Sequence, residues 1–233
     1  MSAQAFDPAA MSEAEKEAFG AAVRSYLLEH PEVLSDMVAA LEEQEALAQA
    51  ETDRTIVATN AEAIFSDGFS FVGGNPEGDL TVVEFIDYRC GYCRKAHSDV
   101  AELVRSDGNI RYIVKEFPIL GEQSVLASRF AISTLLGAGP EAYARVNAGF
   151  YESFRGDVTE DTLRSFAAEL GLDGEAILAG MDAPEVTRII EENHRLAERL
   201  SISGTPTFVI GEQMMRGYAP LDHMRGLVDE ARG

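Results

Sequence analysis

The chain has few cysteines, few basic side chains and no long apolar run. Its 233 residues include two cysteines, and because both fall in a single Cys-x-x-Cys they read as a redox centre rather than a disulfide framework. Lysine and arginine number 19 against 40 aspartates and glutamates, a formal net charge of −21 with a sequence pI near 4.4. That balance argues against a phosphate-tracking surface and against attraction to anionic lipid, so no nucleic-acid partner is expected. No stretch approaches the roughly 18 apolar residues of a membrane span. The start, Met1-Ser-Ala-Gln-Ala-Phe-Asp-Pro8, has neither the basic nor the apolar region of a secretory signal. Those features fit a cytosolic protein or a processed form.

What is present converges on residues 80–97, Leu80-Thr-Val-Val-Glu84-Phe-Ile-Asp-Tyr-Arg89-Cys90-Gly91-Tyr92-Cys93-Arg94-Lys95-Ala-His97. Residues 80–86 are almost wholly apolar and rich in β-branched and aromatic types, which predicts a buried strand running straight into a helix that opens with the Cys-x-x-Cys. Cys93, Ala96, Val100, Leu103 and Val104 form an apolar stripe at three- and four-residue spacing, and Gly108-Asn109 stops it. Cys90 is then expected at the helix N-terminus, where unpaired N–H groups and the positive dipole end favour a thiolate, with Cys93 one turn inward. The dipole alone lowers a free-thiol pKa of about 8.5 by roughly one unit. A larger effect needs direct help, and Arg89, Arg94 and Lys95 are either that help or an ordinary solvated cluster. Glu84 is the one ionisable group in residues 81–86. On a strand buried on both faces its pKa would rise and it could exchange a proton with Cys93; at a sheet edge it would reach water.

In chain order, residues 1–60 read as an acidic helical arm and residues 61–233 as one domain. Within the arm, Pro31 should end or kink the first helix, and apolar groups recur at Phe19, Val23, Tyr26, Val33, Met37 and Leu41. Their spacing suits either a short seam against a second copy of the chain or packing on its own domain. Residues 69–72 read as a short strand, and residues 110–117 alternate and are β-branched, so strand, helix and strand make a parallel βαβ unit. Helical patterns then fill about 119–200. The sheet resumes near Pro206 with an apolar strand, a turn at Gly211 and a second strand near Met214, before a closing amphipathic helix through Leu221, Met224, Leu227 and Val228.

Three segments carry a resemblance: Val83-Glu-Phe-Ile-Asp-Tyr-Arg-Cys90-Gly-Tyr-Cys93, Val114-Lys-Glu-Phe-Pro-Ile-Leu-Gly121 and Gly204-Thr-Pro-Thr-Phe-Val-Ile-Gly211. In order and spacing they resemble the DsbA family of thioredoxin-fold thiol–disulfide oxidoreductases. Tyr26-Leu-Leu-Glu-His-Pro-Glu-Val-Leu34 further resembles the ScsC-like branch, whose members include oligomeric disulfide isomerases. The resemblance implies an α/β thioredoxin fold with a helical insertion at about 119–200. It makes Cys90 the exposed nucleophile, Cys93 its buried partner and Glu84 a proton relay, with Thr205-Pro206 a substrate-facing loop whose proline is cis. It also implies an extracytoplasmic, periplasmic location, protein substrates and a redox partner that is membrane-bound. Assembly as a dimer or trimer through the arm is expected on the same ground.

Two departures bear on direction. Gly91 and Tyr92 stand where DsbA itself has Pro and His, and Thr205 stands where DsbA has valine. The first removes an imidazole from beside the thiolate, which makes the disulfide a weaker oxidant. Both departures lean toward isomerase or reductase work, with a disulfide-forming oxidase as the alternative. The expected chemistry is mixed-disulfide exchange at Cys90–Cys93 with no metal or organic cofactor. From another class, Cys90, Cys93 and His97 at i, i+3 and i+7 could bind zinc or copper with His30, His194 or His223 as a fourth ligand.

Overall fold

The computed structural model describes residues 11–233; residues 1–8, read above for a signal, lie outside them. The chain divides after Gln49 into two units. The first holds helix α1 (Glu13–Glu29) and the start of α2 (Glu32–Thr59). The Glu15 carboxylate accepts the Ser12 backbone N–H at 2.8 Å, satisfying one donor at the entry of α1. Pro31 separates the two helices as expected, and Tyr26, Leu34, Met37 and Leu41 are exposed.

The second unit begins at Ala50, inside α2, rather than at residue 61. The difference has a packing cause. Val57 is buried in the same apolar cluster as Ile64, Leu196 and Leu200, and buried Asp53 takes a two-pronged guanidinium contact from Arg216 at 2.6 and 2.9 Å. The short α3 (Ala61–Phe65) and β1 (Phe71–Gly74) lead to β2 (Leu80–Ile86), α4 (Gly91–Asp107) and β3 (Ile110–Glu116). Five helices follow: α5 (Glu122–Ala138), α6 (Pro140–Glu152), α7 (Glu160–Glu169), α8 (Gly174–Gly180) and α9 (Pro184–Arg199). Strands β4 (Thr207–Ile210) and β5 (Gln213–Arg216) and helix α10 (Leu221–Arg232) close the chain.

The sheet order is β1-β3-β2-β4-β5, with β2 and β3 parallel and the other neighbours antiparallel. This is the α/β thioredoxin fold that the motifs imply, with α5–α9 inserted between β3 and β4. Strand β2 is central, so its alternation divides the core by face. Val83 and Phe85 pack with Leu196, Ala197 and Val209 on one side, while Val82 packs with Ala96, Val100, Leu103 and Met224 on the other. Glu84 shares the parity of Val82 and faces the side that carries α4. Cutting Phe85 back to alanine would cost about 3–5 kcal/mol.

Strand β3 departs from its alternating pattern. A half-solvated strand would expose every second residue, yet Ile113, Val114, Lys115 and Glu116 are all buried, because β3 lies between β1 and β2 with helices over both faces. The two charges are met internally. The Lys115 ammonium donates to the Ala63 carbonyl at 2.8 Å and pairs with Asp67, and Glu116 is held by hydroxyls described below.

Candidate active site

The site forms where β2 hands over to α4. After Ile86 the chain turns through Asp87, whose buried carboxylate accepts N–H groups from Arg89 (2.8 Å), Ile119 (2.8 Å) and Leu120 (3.0 Å) and the Ser124 hydroxyl (2.8 Å). One side chain therefore ties the loop before Cys90 to the segment after Pro118. The Asp87 carbonyl accepts the Cys90 N–H at 3.0 Å, which places Cys90 as the N-cap of α4. Gly108, at φ 73°, ends that helix. Only glycine takes that left-handed conformation without cost.

Cys90 and Cys93 are both free thiols in this structure. Cys90 keeps 9% of its surface and is followed by exposed Gly91 and Tyr92, whereas Cys93 keeps 1%. Across the motif lies the Thr205-Pro206 peptide, which is cis. The Thr205 carbonyl accepts the Cys90 thiol at 3.1 Å.

Environment separates the two sulfurs sharply. Cys90 is held at about 5, first by hydrogen bonding from the Cys93 thiol, against the opposing effect of burial, and then by the Thr205 side chain and the backbone N–H groups of Cys93 and Tyr92. Cys93 is driven far up, by burial first, then by its bond to Cys90 and the nearby Glu84 carboxylate. Glu84 itself is 3% exposed and raised to about 7 by desolvation, against the Tyr112 hydroxyl that donates to it. The buried reading of Glu84 therefore holds, and the sheet-edge reading does not.

The three neighbouring cations are engaged elsewhere. Arg89 donates to the Gly156 carbonyl at 2.8 Å, Arg94 to the Tyr151 carbonyl, and the Lys95 ammonium sits 4.3 Å over the Tyr218 ring. His97, His30 and His194, named above for a metal site, have other partners. The His97 ring lies 5.0 Å from that of Tyr151 and its Nε2 is 3.4 Å from Glu152, His30 meets Glu32, and His194 packs on Phe117. Among the described residues no group of three or more His, Cys, Asp or Glu side chains is disposed to hold a metal.

A family model described as Thioredoxin matches residues 66–230, and one described as Copper resistance protein ScsC N-terminal domain matches residues 15–48. The chain is a DsbA-like member of the thioredoxin family. Its similarity to a thioredoxin-like oxidoreductase of Silicibacter pomeroyi is 40% identity over 74% of this chain and 98% of that one, with a TM-score of 0.69. A periplasmic thioredoxin-like protein of Salmonella enterica serovar Typhimurium is 27% identical over 73% of this chain and 94% of its own, with a TM-score of 0.65. BcfH of Salmonella enterica Typhimurium is 26% identical and covers 94% of this chain and 97% of its own, with a TM-score of 0.75. Among curated proteins, the Na(+)/H(+) antiporter NhaA of Herminiimonas arsenicoxydans is 27% identical over 154 residues, 63% of this chain but 23% of that protein. The chain thus spans about a quarter of that relative's length.

In this DsbA-like chain several residues around the motif escape a reading by sequence. Glu116 accepts the hydroxyls of Tyr88 (2.7 Å), Tyr143 (2.6 Å) and Ser128 (2.7 Å), and Tyr88 in turn accepts the Asn147 amide at 3.2 Å. The Tyr88 ring, two residues before Cys90, packs on Phe150 and Tyr151 of the insertion at 4.4 and 5.3 Å. A polar residue closing an alternating strand gives no sign of this, and its partners lie 12 to 28 residues away.

Proposed function

We propose that this chain is a protein thiol–disulfide oxidoreductase that works by mixed-disulfide exchange at Cys90, leaning to isomerase or reductase. The carrying observation is the split between the sulfurs: Cys90 held at about 5 at the mouth of the site, Cys93 buried with its proton retained. In the reducing direction, the Cys90 thiolate attacks a substrate disulfide. The Cys90–substrate bond forms, the substrate S–S bond breaks, and one substrate sulfur leaves as a thiolate. Cys93, losing its proton to Glu84, then attacks Cys90; the Cys90–Cys93 disulfide forms and the second substrate sulfur leaves. Oxidation runs the same steps backwards. Glu84 suits the relay because a carboxyl near 7 both gives and takes protons at neutral pH. The Thr205 backbone beside Cys90 offers hydrogen bonds to an extended substrate strand. No metal or organic cofactor enters these steps.

The direct test uses insulin reduction and refolding of scrambled ribonuclease. Cys90→Ser should abolish both and Cys93→Ser should accumulate mixed disulfides; turnover retained by Cys90→Ser would sink the reading. An oxidase is the second reading, favoured by how low Cys90 sits, since a stabilised thiolate favours the dithiol. Equilibration with glutathione separates the two: a potential near about −200 mV fits isomerase or reductase, and one near about −120 mV an oxidase.

Partners follow from the same reading. Protein thiols and disulfides are the substrates, and a membrane-bound protein resets the redox state. The likeness to a periplasmic Salmonella protein supports an extracytoplasmic location. The match of residues 15–48 to an ScsC N-terminal domain and the exposed Tyr26, Leu34, Met37 and Leu41 support assembly through the arm. Light scattering with and without residues 1–49 tests it, with loss of the oligomer expected on truncation.

A further inference from the structure

The insertion brings a third arginine to the two that precede and follow the motif. Arg89, Arg94 and Arg155 together line a cavity of about 100 Å³ walled by Tyr88, Phe150 and Phe154. Among the described residues none of the three pairs with a carboxylate; they donate to the main-chain carbonyls of residues 151–156. Nearby acids are used otherwise, Glu152 by His97 and Asp157 by the Gln123 amide. In a chain of 40 acids and 19 bases, three guanidiniums gathered without an acid stand out. Arg94 is lowered by burial first and then by Arg155 and Arg89, against Tyr151. Fixing the loop through carbonyls leaves the three without an ion pair among the described residues, and guanidinium forks match carboxylates geometrically.

We propose that Arg89, Arg94 and Arg155 form a docking point for an acidic side chain adjacent to the reacting cysteine of a polypeptide substrate. The proposal rests on the exchange reading above and adds a substrate preference to it. Arg89 directly precedes Cys90 and Arg94 lies one turn beyond it, so a carboxylate on the cavity belongs to a residue close to the substrate sulfur. The cavity takes a carboxymethyl-sized group, not a folded domain. The preference also runs against the field of the whole molecule, whose −21 charge by itself favours cationic peptides.

That opposition makes the test decisive. The full chain in its Cys90–Cys93 disulfide form is reduced by pentapeptides with one cysteine flanked by glutamate, glutamine or lysine. Each turnover converts two peptide thiols to a peptide disulfide and the protein disulfide to two thiols. The wild type should react about tenfold faster with the glutamate than with the lysine peptide at low salt, in the range of local electrostatic steering. The preference should shrink to about twofold in 1 M KCl, where the screening length is about 3 Å. R89Q/R94Q/R155Q should reverse the order, and R89K/R94K/R155K should keep it. Comparing the glutamate-to-lysine ratio between proteins cancels differences in peptide thiol pKa and in Cys90 itself. A faster lysine peptide with the wild type, or a ratio unchanged in the glutamine triple variant, overturns the docking point. Equal rates with all three peptides leave exchange standing and remove only the docking point, whereas no reaction with any peptide removes the exchange reading as well.

Discussion

Glu84 and Glu116 sit at corresponding depths in adjacent parallel strands, both 3% exposed and both raised to about 7 by desolvation. Their surroundings differ. Glu116 receives three hydroxyls, from Tyr88, Tyr143 and Ser128, and joins the sheet, the loop before Cys90 and the helical insertion. Glu84 receives the Tyr112 hydroxyl and is otherwise coupled to the cysteine pair. A similar pKa therefore serves two ends. A carboxyl whose acceptor sites are filled is a structural hub, and one with a reactive sulfur for a neighbour is a proton store.

Substitutions should pull the two apart. The largest stability loss is expected for Glu116→Ala, about 3 kcal/mol or more in urea unfolding, because three buried hydroxyls lose their acceptor together. Glu84→Gln keeps an acceptor for Tyr112 and should cost under about 1 kcal/mol. Its effect belongs to the chemistry: resolution by Cys93 slows about 10- to 100-fold at pH 7 and the rate loses its inflection near pH 7. If Glu84→Gln resolves mixed disulfides at the wild-type rate, the distinction between the two carboxyls fails.

A smaller effect concerns pH, with the same sign at both sites. A carboxyl whose folded pKa lies above its unfolded value stabilises the fold fully below about pH 4.5 and loses that contribution as pH rises through about 7. Wild-type stability should therefore fall between those limits, and Glu84→Gln or Glu116→Gln should each flatten part of the fall. Urea unfolding at pH 4.5, 5.5 and 7 measures it.

The sequence made one of these carboxyls visible and hid the other. Glu84 stands out as the lone charge in an apolar run, and the Cys-x-x-Cys at a strand-to-helix junction announces itself through periodicity. Lys115 and Glu116 look like the solvent side of an alternating strand, and the helices that bury them come from later in the chain. Arg155 likewise gains meaning when the loop after α6 carries it to Arg89 and Arg94. The same holds for Asp87, whose four donors come from residues as far as Ser124. The Thr205-Pro206 loop had meaning in the sequence through family resemblance, since nothing local points it at a sulfur 115 residues away. The arm limit at residue 60 and the division after Gln49 differ because helical periodicity runs through Gln49 without a break, while the change to a buried face at Asp53 and Val57 depends on distant partners.

The central claim is that two cysteines three residues apart hold opposite protonation states, one ionised at the mouth and one neutral beneath. Alkylation of the reduced protein by iodoacetamide between pH 3 and 10, resolved by site with mass spectrometry, tests it most directly. Cys90 should react with a midpoint near pH 5 and Cys93 should stay unmodified throughout. A midpoint near the ordinary thiol value of about 8.5, or comparable reaction at both sulfurs, would contradict it.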